Sequence, residues 1–117
     1  MFAHNRDLIT DELVELRYRA SLDPPVRDSW AAMFPAPRQR WVTAMAIPEH
    51  QIAALQHPTL IVHGREDQVI PVETSLALFR LIPNGDLHVF AKCGHWSQIE
   101  RSADFNRLVR DFLAADN

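Results

Sequence analysis

"PTLIVHGREDQVIPVETSLALFRLI", residues 58–82, decides the fold. Its first part, "PTLIVHG" (58–64), is a short apolar run rich in β-branched residues and closed by Gly64. That pattern describes a strand buried on both faces. Its last part, "PVETSLALFRLI" (71–82), opens with Pro71 and spaces Val72, Leu76, Phe79 and Ile82 at helical intervals. It predicts an amphipathic helix. Next, "PNGD" (83–86) is a turn, and "LHVFAKCG" (87–94) repeats the buried-strand pattern. Finally "SADFNRLVRDFLAA" (102–115) puts Phe105, Leu108, Val109 and Phe112 on one helical face. The order β-α-β-α with short connections predicts an α/β architecture, a parallel sheet covered by helices. Two strands alone do not make a stable parallel sheet. A fully buried strand also exposes an apolar edge unless something pairs with it. The expectation is a piece of something larger, or a chain completed by a partner.

Residues 1–50 read differently, as helical and irregular. In "TDELVELRYRAS" (10–21), Thr10 suits an N-cap, and Asp11 and Glu12 fall in the first turn, where the helix dipole favours acids. Glu15 and Arg19 are spaced i,i+4 and can pair on the solvent side. "DPP" (23–25) stops that helix. "VRDSWAAMF" (26–34) is a second helical stretch, "PAPRQRW" (35–41) interrupts it, and "WVTAMA" (41–46) supplies another turn or two before Pro48. Two parts follow, residues 1–50 and residues 51–117.

Composition narrows the function. With 117 residues, 47% hydrophobic and 23% charged, the chain has the make-up of an ordinary globular protein and not of a disordered one. The net charge of −3, with no clustering of Lys or Arg, favours neither nucleic acid nor an anionic membrane. No apolar run reaches the ~18 residues that span a bilayer. "MFAHNRDLIT" (1–10) lacks the basic start and apolar stretch of a signal peptide. A single cysteine, Cys93, excludes an internal disulfide, so a cytoplasmic location is expected. The six histidines show no i,i+4 pair and no CxxC companion, so no metal site is expected.

Functional groups of open parallel sheets gather at the carboxyl ends of the strands. There the first strand gives "HGREDQVIP" (63–71), with Asp67 three residues after Gly64 and Glu66 as its competitor. The second gives "CGHW" (93–96), with His95 one residue after Gly94. If the strands are neighbours, Asp67 and His95 meet as the orienting acid and general base of a nucleophilic triad. The alternatives are a polar surface loop and a structural histidine. Acid before histidine is the α/β-hydrolase order, with the serine upstream on a G-x-S-x-G elbow. No such motif occurs in these 117 residues. Cys93 is too close in sequence to reach His95 as a nucleophile and reads as a small buried residue. Arg17 shares a helix face with Leu13, Val14 and Ala20, where an arginine needs a partner. That partner is either a structural carboxylate or an acidic substrate. Trp30, Met33, Phe34, Trp41 and Met45 are either core or the lining of an apolar pocket.

Taken together, "TDELVELRYRAS", "MFPAPRQRW" (33–41), "HGREDQVIP" and "LHVFAKCGHWSQIE" (87–100) resemble the meta-cleavage product hydrolases. These are α/β-hydrolases that split a carbon–carbon bond in bacterial aromatic degradation. The likeness is greatest to 2-hydroxymuconic semialdehyde hydrolases and runs over essentially the whole chain. It implies that residues 1–50 are the last part of a helical lid and that residues 51–117 are the last two strands and helices of the core. It implies Asp67 as triad acid, His95 as base, Trp96 beside the substrate, and Arg17 as the lid arginine holding the carboxylate of a dienoate. The reaction it implies begins with enol-to-keto tautomerisation. Serine-dependent hydrolysis of the C–C bond then gives 2-hydroxypenta-2,4-dienoate and a carboxylic acid, without metal or organic cofactor.

The family's early strands, oxyanion-hole loop and nucleophile elbow have no counterpart here, so the chain alone is expected to be inactive. Two other readings compete. The same fold can act on an ester or lactone, whose substrate need not bring a carboxylate to Arg17. Alternatively the chain is a non-catalytic module that self-associates through its strand edge. The partner expected is a second copy in a homo-oligomer, or a missing N-terminal half that completes the fold.

Overall fold

The computed structural model describes residues 2–115, which fall into two compact units. One comprises Ile9–Ile47; the other comprises the segment up to Leu8 together with everything from Pro48 onward. The N-terminal residues therefore belong with the strands, whereas the sequence pattern had grouped all of 1–50 with the helices.

The helical unit holds α1 (Asp11–Leu22), α2 (Pro24–Met33) and α3 (Arg38–Ala44). Helix α1 starts where the capping pattern predicts, with the Thr10 hydroxyl accepting from the Leu13 amide at 3.2 Å. Arg19 Nε donates to Glu15 Oε1 at 2.6 Å, both groups open to water. The helix ends at Leu22, and Pro24 opens α2, where a missing N–H costs nothing. No residue of these three helices is buried. Trp30, Met33 and Met45 are exposed, and Phe34 and Trp41 half-buried, so they form no core within this unit. Trp30 and Met33 instead line an open apolar hollow of about 380 Å³ with Pro25, Val26 and Ser29.

In the other unit a 3₁₀ turn (Arg6–Leu8) and α4 (Glu49–Ala53) precede β1 (Thr59–Gly64). Helix α5 (Val72–Leu81), β2 (Gly85–Phe90), α6 (Ser97–Glu100) and α7 (Ser102–Ala114) follow. The two strands pair in parallel, from Thr59 opposite Gly85 to Gly64 opposite Phe90, with α5 packed on both as the crossover. The core is small: Ile82, Phe90 and Cys93, with the polar His63, Ser75 and Ser97 buried beside them.

Two expectations are corrected here. Neither strand is buried on both faces; most of their residues are half-buried, and Asp86 and His88 are exposed. The apolar run is real, but among the described residues each strand has a neighbour on one side only. On helix α5 the face expected from the apolar spacing is kept only in part. Leu76 and Phe79 are exposed, while Val72, Ser75, Leu78 and Ile82 face inward. Ser75 is drawn in by its bond to the buried His63, which rotates the stripe. On α7, by contrast, Phe105, Leu108, Val109 and Phe112 are all half-buried on one face as expected. Among the described residues no helix is long and apolar enough to cross a membrane.

Candidate active site

The site is built where β1 and β2 end side by side. Beyond the last strand pair, the Arg65 amide still donates to Phe90 O at 2.9 Å, and the Glu66 amide donates to Cys93 O at 2.9 Å. The Cys93 amide donates back to Glu66 Oε2 at 3.0 Å. Gly64 lies so close to the second loop that a Cβ there would strike the carbonyl oxygens of Gly94 and Cys93. Only glycine permits this approach, and it presses the two polar loops together.

A tight turn follows, in which the Asp67 amide donates to Gly64 O at 3.0 Å. The Asp67 carboxylate then faces inward, its side chain 5% exposed. Its Oδ1 accepts from the amides of Val69 (2.7 Å) and Ile70 (3.1 Å), and its Oδ2 accepts from His95 Nδ1 at 2.9 Å. Burial pushes this carboxyl up. The bonds from His95, Ile70 and Val69, with the imidazole's charge, outweigh burial and hold it below the usual aspartate range. Glu66, the rival acid, is committed elsewhere: the Cys93 amide, and then Arg65, hold its carboxyl below the ordinary range. Asp67 is the acid that meets the histidine.

His95 is 32% exposed. With Nδ1–H given to Asp67, the basic lone pair sits on Nε2, which has no hydrogen-bond partner among the described residues. This is the geometry of a general base: tautomer fixed by an acid on one nitrogen, the other open to a reacting group. A cavity of about 230 Å³ lies against the pair, lined by Val62, His63, Asp67, Ile70, His95 and Ser97 among others.

Trp96 follows His95 and stacks on Phe2, ring centroids 5.6 Å apart and 12° from parallel. Arg17 lies in the helical unit, exposed and without an ion pair among the described residues. Cys93 is wholly buried, and burial, with Glu100 nearby, pushes its thiol up to about 11. Such a thiol is no nucleophile.

The sequence reading missed three residues. His63 is buried against Asp67, its Nδ1 2.7 Å from Ser75 Oγ and its Nε2 3.0 Å from Ile70 O and 3.5 Å from Asp67 Oδ2. An N–H on Nε2 facing those oxygens, with the Ser75 hydroxyl donating to Nδ1, gives both ring nitrogens a partner. Glu100 gathers three backbone amides, and Phe2 brings the N-terminal segment onto the His95 loop. Phe2 and Glu100 escape any spacing rule because they join residues more than 90 positions apart, whereas His63 stands only four residues before Asp67.

Residues 3–102 match the family described as alpha/beta hydrolase fold. The chain is 57% identical over 116 residues to a 2-hydroxy-6-oxo-2,4-heptadienoate hydrolase of Pseudomonas putida F1, covering 99% of itself and 42% of that protein. It is 59% identical over 114 residues to a 2-hydroxymuconate semialdehyde hydrolase of Pseudomonas sp. CF600, covering 97% of itself and 40% of that protein. Among solved structures, a meta-cleavage product hydrolase from Pseudomonas fluorescens IP01 superposes with a TM-score of 0.91 at 52% identity. That match covers 99% of this chain and 43% of the other. The chain thus spans about two-fifths of the length of the relatives it matches.

Proposed function

The chain belongs to the alpha/beta hydrolase family, and from that premise we propose that it carries the acid and base of a serine-dependent carbon–carbon bond hydrolase. The substrate class is the dienoate product of aromatic ring fission, of the 2-hydroxymuconic semialdehyde type, and the setting is the cytoplasm. The observation that carries this reading is the 2.9 Å bond from His95 Nδ1 to a nearly buried Asp67.

In this reading Asp67 holds the imidazole and offsets the charge it gains. His95 Nε2 takes the proton of a serine hydroxyl and later returns a proton as the acyl group passes to water. The serine comes from the part of the relatives that these 117 residues do not span. The helical unit, Ile9–Ile47, acts as a lid segment, and the unit that holds the strands as core. Arg17, exposed and without an ion pair among the described residues, offers a two-pronged donor to the dienoate carboxylate, and Trp96 flanks the substrate. The 117-residue chain by itself turns nothing over.

A hybrid tests this. The chain replaces the matching two-fifths of the CF600 relative, and loss of the 2-hydroxymuconate semialdehyde chromophore is followed. The expected result is turnover by the hybrid, none by the chain alone, and a loss of at least about 10³-fold in His95→Ala. A His95→Ala hybrid as fast as its parent would remove the base assignment. Arg17→Ala separates this substrate class from an ester or lactone. A dienoate hydrolase loses affinity for its acid substrate, whereas hydrolysis of a neutral ester is unchanged.

One observation favours self-association as the behaviour of the isolated chain. Leu16, Trp30, Met33, Leu76 and Phe79 are exposed, and both strands have an open edge among the described residues. Sedimentation decides it, a clean monomer counting against.

A further inference from the structure

The loop that carries His95 is held by more than the acid. Three successive backbone amides lead up to the imidazole, and each donates to a different part of the chain. The Cys93 amide donates to Glu66 Oε2 at 3.0 Å, the Gly94 amide to Glu100 Oε1 at 2.7 Å, and the His95 amide to Phe2 O at 2.7 Å. The second of these is the centre of a larger device. The other oxygen of Glu100, Oε2, accepts from the amides of His4 (2.8 Å) and Asn5 (2.9 Å). One half-buried carboxylate therefore binds the base loop with one oxygen and the N-terminal strap with the other.

The rest of the strap lies where this carboxylate puts it. The Phe2 ring stacks on Trp96 and tilts against His95 at 5.8 Å. Gly94 packs so tightly that a Cβ there would lie 2.7 Å from Phe2 O, 2.9 Å from His4 N and 3.1 Å from Glu100 Oε1. Glu100 itself is fixed by its own amide, which donates to Trp96 O at 2.8 Å. Its carboxylate takes three backbone N–H donors and, among the described residues, no ion pair. A carboxylate serves here because it has acceptors on both ends. An amide side chain has only one.

We propose that Glu100 is the positioning residue of the base, fastening residues 2–5 across the His95 loop and so fixing the direction in which the imidazole meets Asp67. This rests on reading His95 as the base, but its test does not require turnover. Glu100→Gln keeps the shape and loses one acceptor, because the amide can turn its oxygen to Gly94 or to His4 and Asn5, not to both. In the 117-residue chain labelled with ¹⁵N, amide exchange is read at His4, Asn5 and Gly94, and the His95 Nδ1–H proton is observed directly. The expected result is protection about tenfold lower on at least one side of the clamp, the scale of a lost charge-assisted bond. The His95 Nδ1–H signal broadens with it, while the sheet-bonded amides of Thr59 and Arg65 stay protected.

If those strand amides also lose protection, the variant has unfolded, and His4→Pro decides instead. It removes one donor and leaves Glu100 in place. A fall in Gly94 protection supports the clamp; no change there overturns it. Unaltered protection and an unaltered His95 signal in Glu100→Gln likewise overturn it. A hybrid enzyme that is inert while these signals change as expected would sink the catalytic reading of His95 and leave the clamp standing.

Discussion

Replacing Asp67 with Asn tests the core of the site with almost no change of shape. Asp67 Oδ1 accepts two amides, Val69 at 2.7 Å and Ile70 at 3.1 Å, and an asparagine oxygen can keep both. Turning the amide over would set its N–H₂ against those two N–H groups, so the oxygen stays. The nitrogen then falls where Oδ2 was, 2.9 Å from His95 Nδ1 and 3.5 Å from His63 Nε2. It is a donor facing a donor. His95 must give up the Nδ1 proton and carry it on Nε2, the nitrogen that should be basic. One charge-assisted hydrogen bond becomes a neutral one, a loss of about 1 kcal/mol in stability. The effect on chemistry is far larger, because the wrong tautomer removes the base: roughly 10⁴-fold in turnover for the hybrid, the loss the same change brings in a Ser-His-Asp triad. Imidazole ¹⁵N shifts report the tautomer in the 117-residue chain, and denaturant melts report the stability. An Asp67→Asn chain whose His95 still carries its proton on Nδ1 would refute the reasoning, as would a hybrid with unchanged turnover.

Acid should unfold the chain early. Asp67 sits below its ordinary value, so it favours the folded state above about pH 5, and that contribution disappears as pH falls through 4 and below. Denaturant melts at pH 7, 5 and 3 should show stability falling only in the acid interval, with a shallower fall in Asp67→Asn; a flat profile would contradict the linkage. Gly64→Ala should cost about 1–3 kcal/mol or more, because its Cβ meets backbone carbonyls that cannot give way; a melt within a few tenths of wild type would mean the loops are not pressed together. Cys93, with its thiol pushed up to about 11, should resist a thiol reagent at pH 8 until denaturant is added; rapid native labelling would contradict its burial.

The strands and helices of this chain are legible because their signals are local. Gly64, Pro71 and Asn84 punctuate them, and the apolar runs between fix their type. What lies beyond a strand's own residues is not local, which is why both-face burial was overread from "PTLIVHG" and "LHVFAKCG". The run of apolar residues reports what a strand can bury, not how many neighbours stand beside it. The same limit governed the site. Spacing brought out Asp67 and His95 but could not separate Asp67 from Glu66, since adjacent residues differ only in which way the turn points them. The turn decides: Asp67 is caught by the amides of residues 69 and 70, and Glu66 by Cys93. Glu100 stood in plain view in "CGHWSQIE", but its partners His4 and Asn5 are more than 90 residues away.

The meeting of Asp67 and His95 follows from the register of one parallel pair. Gly64 stands opposite Phe90, so the acid is three residues beyond the last pair and the base five. In parallel strands both loops leave from the same edge, and those extra residues of the second loop must be taken up before its histidine can turn back. Lys92 takes up part of it, with a left-handed φ of 54° that bends the chain just after the strand. Cys93 and Gly94 take up the rest, lying flat against Gly64. A slip of one residue would carry Phe90 past Gly64 and turn the imidazole from Oδ2. The bonds from Arg65 to Phe90 and between Glu66 and Cys93 forbid that slip. The same few contacts that close the sheet therefore bring His95 to Asp67, and the bonds of Glu100 and Phe2 to the loop then hold it there.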